Sequence, residues 1–188
     1  MTTIIGLSGS LRKGSYNTAL LVAAKAAAPA GVTLDVRTLH GIPLYDGDVE
    51  ASEGIPAAVT ALKDAIAQAD GLLLATPEYN NGIPGVFKNA IDWLSRPPAD
   101  SARVFLNKPV ALIGASPGGF GTILGQEAWL PVLRTLQTTP WWQGRLMVSR
   151  ANKVVDADGN LQDDAVRQQL AAFVAGFVAF VDTKTGGD

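Results

Sequence analysis

Ile4-Ile5-Gly6-Leu7-Ser8-Gly9-Ser10-Leu11-Arg12-Lys13-Gly14-Ser15-Tyr16-Asn17 decides the fold, because it runs from an unbroken apolar segment through a loop of glycines and hydroxyls into a helical stretch. A continuous apolar run marks a parallel strand covered on both faces. The same signal recurs at Leu72-Leu73-Leu74-Ala75 and Val110-Ala111-Leu112-Ile113, so these three strands are central. Leu34-Asp35-Val36-Arg37-Thr38-Leu39 alternates apolar with polar and predicts a strand near the sheet margin. The short run Leu146-Met147-Val148 supplies a fifth strand, also at an edge. Between the strands the apolar period lengthens to that of a helix. Helices are predicted from Thr18 to Ala28, from Pro56 through Val59, Leu62 and Ile66 to Ala69, from Val86 to Leu94, and from about Gln126 to Leu136. A last helix carries Val166, Leu170, Phe173, Val174, Phe177 and Val181, with the charges of Asp163 and Asp164 at its N-terminus. Five strands alternating with five helices predict a doubly wound α/β sheet in the order 2-1-3-4-5, helices on both faces. In that order a ligand binds where the strand order reverses, at the carboxyl ends of the first and third strands. The loops there are residues 8–17 and 76–84.

Composition narrows the chemistry. The 188 residues fit one domain spanning 1–188, with a formal net charge of -2 spread along the chain. No basic field is present to attract nucleic acid or an acidic membrane, so small-molecule partners are expected. The sequence has no cysteine, which excludes disulfides, thiolate metal sites and thiol redox chemistry, so any redox work needs a bound cofactor. The N-terminus lacks the basic flank and long apolar stretch of a secretory signal, and a cytoplasmic location is expected. The longest apolar run, Leu170 to Val181, is shorter than the roughly 20 residues that span a bilayer and reads as a buried helix.

The loop Ser8–Asn17 concentrates hydroxyls, an amide, glycines and a guanidinium, a set that suits a phosphate at a helix start. An ordinary solvated turn with Ser15 or Asn17 as helix cap is the competing reading. Gly9 and Gly14 have the spacing of a triphosphate loop, but Ser15-Tyr16 stands where lysine and a hydroxyl are required, so a monophosphate fits better. No G-x-G-x-x-G follows the first strand, and Gly119-Phe120-Gly121 falls short of it at Leu124, which disfavours a dinucleotide held in Rossmann fashion. The loop Thr76-Pro77-Glu78-Tyr79-Asn80-Asn81-Gly82-Ile83-Pro84-Gly85 suits the edge of a planar heterocycle, with Tyr79 or Ile83 against a face, and equally suits plain turn chemistry.

Gly114-Ala115-Ser116-Pro117-Gly118 matches the G-x-S-x-G of serine hydrolases. Pro117 has no N–H for an oxyanion hole, however, and the only histidine, His40, precedes the serine instead of following it. A hydrolase is therefore disfavoured, and Ser116 reads as part of a third ligand loop. His40 itself is expected in a loop. Trp93, Trp129, Trp141 and Trp142 suit core or interface positions.

Gly9-Ser10-Leu11-Arg12-Lys13-Gly14-Ser15-Tyr16-Asn17, Thr76-Pro77-Glu78-Tyr79-Asn80, Ile83-Pro84-Gly85 and Lys88-Asn89-Ala90-Ile91-Asp92-Trp93 together resemble the NADPH-dependent FMN reductase family, which includes quinone and chromate reductases. The resemblance implies a flavodoxin-like fold and noncovalent FMN, with NAD(P)H as co-substrate. It assigns the FMN phosphate to Ser10, Arg12, Ser15, Tyr16 and Asn17, the isoalloxazine edge to Pro77, Glu78, Tyr79 and Asn80, and a further flavin contact to Ser116. It implies a homodimer or homotetramer with FMN near the interface. The arginine that usually opens the helix after the fourth strand is absent from Ser116–Gln126. The expected activity is hydride transfer from NAD(P)H to FMN, then reduction of a small acceptor such as a quinone, free flavin or chromate by a ping-pong cycle, with no side-chain acid or base demanded. A one-electron carrier of the flavodoxin kind is the alternative, disfavoured because such carriers tend to be strongly acidic.

Overall fold

The computed structural model describes residues 1–185. Its elements run β1 (Thr2–Ser8), α1 (Tyr16–Ala26), β2 (Val32–Arg37), α2 (Gly47–Glu53), α3 (Ala57–Gln68), β3 (Gly71–Ala75), α4 (Gly85–Leu94), α5 (Pro98–Phe105), β4 (Pro109–Ala115), α6 (Ile123–Thr135), β5 (Thr139–Pro140), β6 (Leu146–Val148), α7 (Ala151–Val154) and α8 (Asp164–Thr185). The sheet is parallel in the order β2-β1-β3-β4-β5, with β6 also paired to β4. The predicted doubly wound order is therefore present, and the chain reverses direction across the sheet between β1 and β3. The strands are buried as their composition requires: every residue of β3 is buried, while β2 at the margin keeps exposed positions.

Two apolar layers sandwich the sheet. On one face α1 and α8 pack Leu20, Leu21, Phe173 and Phe177 against Ile4, Leu73 and Ile113. On the other, α3, α4 and α6 pack Leu62, Ile66, Phe87, Trp93 and Trp129 against Ile5, Leu72 and Val110. α8 is long and apolar enough by composition to cross a membrane, but its stripe Leu170, Phe173, Val174, Phe177 and Val181 is buried in the first of these layers. Asp163 caps it, its carboxylate accepting the Val166 N–H at 3.0 Å.

The structure departs from the sequence reading at the far edge. The fifth strand is split in two: Thr139–Pro140 pairs with Pro109–Val110, and Leu146–Val148 pairs with Ile113–Ala115. Between them Trp141 turns inward against Phe173 and Phe177, with ring centroids 5.0 and 5.9 Å away. This wedge needs two glycines, because a Cβ on Gly144 would lie 2.2 Å from the indole and one on Gly176 would lie 2.9 Å from it. Three further helices, α2, α5 and α7, add to the five predicted.

Candidate functional site: a cleft at the strand reversal

The first loop leaves β1 through two constraints. Gly9 donates its N–H to the Ala75 carbonyl at 2.9 Å, and a Cβ there would fall 2.1 Å from the Phe87 ring, so only glycine passes between β3 and α4. Ser10 and Ser15 are both buried. The Ser10 hydroxyl accepts the Arg12 N–H at 3.2 Å, and Ser15 caps α1 by accepting the Thr18 N–H at 3.3 Å. Tyr16 and Asn17 open α1, so their N–H groups have no acceptor within the helix and carry its positive end. The Arg12 guanidinium lies 4.6 Å from the centre of the Tyr16 ring.

Asn17 has a second task. Its side-chain amide donates to the Ala115 carbonyl and accepts the Ala115 N–H, both at 2.9 Å, in a buried two-way bridge from α1 to the end of β4. The amide side chain is thus committed to the scaffold, and what Asn17 offers an anion is its backbone N–H.

The third-strand loop is held as firmly. Thr76 is fully buried, donates its N–H to Ile113 and its hydroxyl to the Pro77 carbonyl, each at 2.8 Å. Tyr79 and Gly82 exchange backbone hydrogen bonds around Asn80 and Asn81, whose φ values of +51° and +60° make a tight turn with both central residues left-handed. Asparagine tolerates that conformation, which is the reason for the Asn-Asn pair. Glu78 reaches across to α6: its carboxylate accepts the Gly125 N–H at 2.7 Å in the helix's first turn, a favourable place for a negative charge. Gly125 leaves little room here, since a Cβ would stand 3.3 Å from both the Pro77 carbonyl oxygen and the Glu78 Cβ.

The loop after β4 follows the same economy. Thr122 is fully buried over Gly114, where a Cβ would fall 2.0 Å from the threonine hydroxyl. The Ser116 hydroxyl accepts the Gly118 N–H at 3.1 Å within its own turn. His40 follows β2, bonded to Thr38 at 3.0 Å, and β1 and β3 lie between that strand and β4. Three strand spacings, about 14 Å, separate the two strands, so the G-x-S-x-G match has no histidine to complete it.

Ser10, Arg12, Ser15, Tyr16, Asn17, Pro77, Glu78, Tyr79 and Ser116, with Ala115 and Pro117, line one cleft of about 380 Å³ at the carboxyl ends of β1, β3 and β4. Asn80 is the one nominated residue outside this lining; it serves the turn. Arg12, Ser15 and Tyr16 also border a larger groove of about 800 Å³ whose far wall is Asn152 and Val155–Asn160. The sequence reading missed that wall, which lies far along the chain. Asp156 is consumed there in holding the hairpin turn, accepting from the Asp158 and Asn160 amides, and these bonds keep its carboxyl below the usual range. The smaller cleft has the chemistry for a phosphorylated planar ligand. Buried hydroxyls, the start of α1 and a guanidinium stand at one end, and Pro77, Tyr79 and the rigid third loop at the other.

Comparison with known proteins identifies the family. The profile of the NADPH-dependent FMN reductase family matches residues 2–153. An NAD(P)H-dependent FMN reductase of Pseudomonas aeruginosa is 46% identical over 167 residues, covering 89% of this chain and 88% of that protein. The quinone reductase of Escherichia coli K12 is 37% identical over 183 residues, covering 95% and 94%. Among solved structures, the flavoenzyme NAD(P)H:(acceptor) oxidoreductase of Paracoccus denitrificans superposes with a TM-score of 0.84 at 33% identity, covering 98% of this chain and 99% of that one. By profile, sequence and fold alike, the chain belongs to the NADPH-dependent FMN reductase family.

Proposed function

We propose that the protein holds FMN noncovalently in the cleft at the strand reversal and passes electrons from NAD(P)H to a small acceptor, of the quinone, free flavin or chromate class. The observation that carries the reading is the convergence of the first and third loops and Ser116 on one cleft. Bound FMN supplies the hydride chemistry that a chain without cysteine lacks. The chain's own residues bind and orient. Ser10 and Ser15, the Tyr16 and Asn17 amides and Arg12 hold the phosphate. Pro77 and Tyr79 border the ring, and Glu78 ties that border to α6. FMN reductase and quinone reductase relatives support the activity, not these residue roles in particular.

The side bounded by Pro117 to Phe120 is exposed, and Tyr79 is half exposed, which supports one open face shared by both substrates. One position used in turn gives a ping-pong cycle, and acceptors chosen by stacking and potential are discriminated loosely. The protein works, on this reading, as a homo-oligomer where NAD(P)H is supplied, in the cytoplasm. Steady-state rates with NAD(P)H and several quinones and flavins test it. Parallel double-reciprocal lines with several acceptors are expected. Intersecting lines or a single accepted quinone would contradict the shared face, and negligible NAD(P)H oxidation would favour an electron carrier.

A further inference from the structure

The loop after β4 carries its largest side chain outward. Residues 117–120 are all exposed, and the Phe120 ring at their end is 85% exposed. A lone exposed ring is ordinary on a protein surface. This one differs in its mounting. Before it, Ser116 is fixed on both sides, its N–H bonded to the Val148 carbonyl and its own carbonyl accepting the Ala151 N–H, each at 3.0 Å. The Gly118 carbonyl accepts the Arg150 N–H at 2.9 Å. After the ring, Gly121 takes a φ of +65°, a Cβ there would fall 2.9 Å from the Met147 carbonyl oxygen, and Thr122 is fully buried. Only Gly119 and Phe120 lie between these anchors.

Gly119 has no static reason to be glycine. A Cβ there would meet nothing within 4 Å, and its φ lies outside the left-handed region. Alanine fits this conformation, and in a fixed loop it would be the more stable choice, because glycine leaves the unfolded chain more freedom to lose. The freedom is useful to a loop that takes a second conformation. The surroundings say what that conformation covers. Pro117 lines the cleft, as does Tyr79 on the facing loop, itself 52% exposed. Three residues of chain span at most about 11 Å, which keeps Phe120 beside the cleft's open side. Residues 116–122 carry no charged side chain, so a ring face is the strongest contact this loop can offer a planar ligand.

We propose that Phe120 is a stacking residue for the planar substrates: the Gly119–Phe120 tip swings at Gly119 and lays the ring against the nicotinamide or quinone held at the open side of the cleft. The inference rests on FMN occupying that cleft. It makes Phe120 a determinant of substrate affinity with no part in holding the flavin, whose phosphate end lies at the first loop.

Titration of the oxidised, FMN-loaded protein with NADP+ and, separately, with a naphthoquinone tests it, followed by the flavin absorbance, since oxidised flavin exchanges no electrons with either ligand. Phe120→Ala should weaken both ligands by roughly 5-fold or more, the worth of one stacked ring, and leave FMN affinity unchanged. Phe120→Tyr should bind as wild type does, whereas Phe120→Leu, apolar but without a ring, should not. Gly119→Ala should weaken both ligands without lowering the urea midpoint. Chymotryptic cleavage after Phe120 in the wild type should be suppressed by saturating NADP+. Ligand affinities that Phe120→Ala leaves unchanged, an equal loss of FMN affinity, or a Gly119→Ala protein that binds as wild type does would overturn the proposal. So would a Phe120→Ala protein whose molar mass changes while its ligand affinities do not, which would assign the ring to a contact between copies. A protein that takes up no FMN would instead overturn the cleft assignment beneath it.

Discussion

Arg12 and Asn17 are neighbours in sequence with different work. Arg12 is exposed and stacked on Tyr16 at the border of cleft and groove, a guanidinium with little structural duty. Replacing it with alanine should weaken FMN binding by about 1.5–3 kcal/mol, the worth of a hydrogen bond to a charged group, and leave riboflavin affinity nearly unchanged. Titration of both flavins checks this, and equal losses would mean that Arg12 does not meet the phosphate. Asn17→Ala, by contrast, strips both partners from the buried Ala115 amide and carbonyl. A cost of about 2–4 kcal/mol in global stability follows, read as a lower urea midpoint, because two buried polar groups lose their bonds. The Ser8–Asn17 loop is legible in the sequence because its residue types are chemically unusual in so short a span. That the Asn17 side chain spends itself on Ala115 is not, because nothing local in the sequence announces a partner 98 residues away. Glu78 is a similar case: its place beside the cleft is expected from its loop, whereas its bond to Gly125 needs the fold.

At the scale of elements, legibility follows apolar periodicity. The helices and strands that bury a long stripe are all foreseen, with ends shifted by a few residues. α2 buries nothing and is held by its Asp46 cap and polar contacts, so it has no stripe to read. α5 buries only Val104 and Phe105 and docks by charge: Asp100 pairs with the buried Lys63 at 2.6 Å and with Arg103 at 2.7 Å, and Arg103 reaches Asp64 at 2.9 Å. The split edge strand is unreadable because a wedge such as Trp141 depends on glycines at two separate positions. The α5 network carries a pH signature. Hydrogen bonds from Arg103 and Lys63 hold the Asp100 carboxyl far below the usual carboxylate range. A carboxyl depressed by folding stabilises fully above its unfolded value of about 4 and loses that contribution as pH falls toward the folded value. Asp100→Asn should therefore lower the urea midpoint at pH 7, with the gap from wild type narrowing as pH drops below about 4. A gap that does not narrow would show that the ionised carboxylate is not what docks α5.

For the whole molecule, the strand order explains why the three loops meet. β1, β3 and β4 are adjacent in the sheet, so the loops at their carboxyl ends converge, while β2 and its loop with His40 lie off to one side. The helices divide between the faces, α1 and α8 on one and α3, α4 and α6 on the other, and the reversal leaves the starts of α1, α4 and α6 around the same opening. An anion-binding helix start and a rigid polar loop thus face each other with no cysteine and no paired acid and base between them, an arrangement suited to holding a redox cofactor. Identification of the flavin released when the purified protein is denatured tests this most directly. FMN in close to one equivalent per chain, restored on adding FMN to the stripped protein, is the result predicted. Release of FAD, or a stripped protein that binds no FMN, would contradict the account.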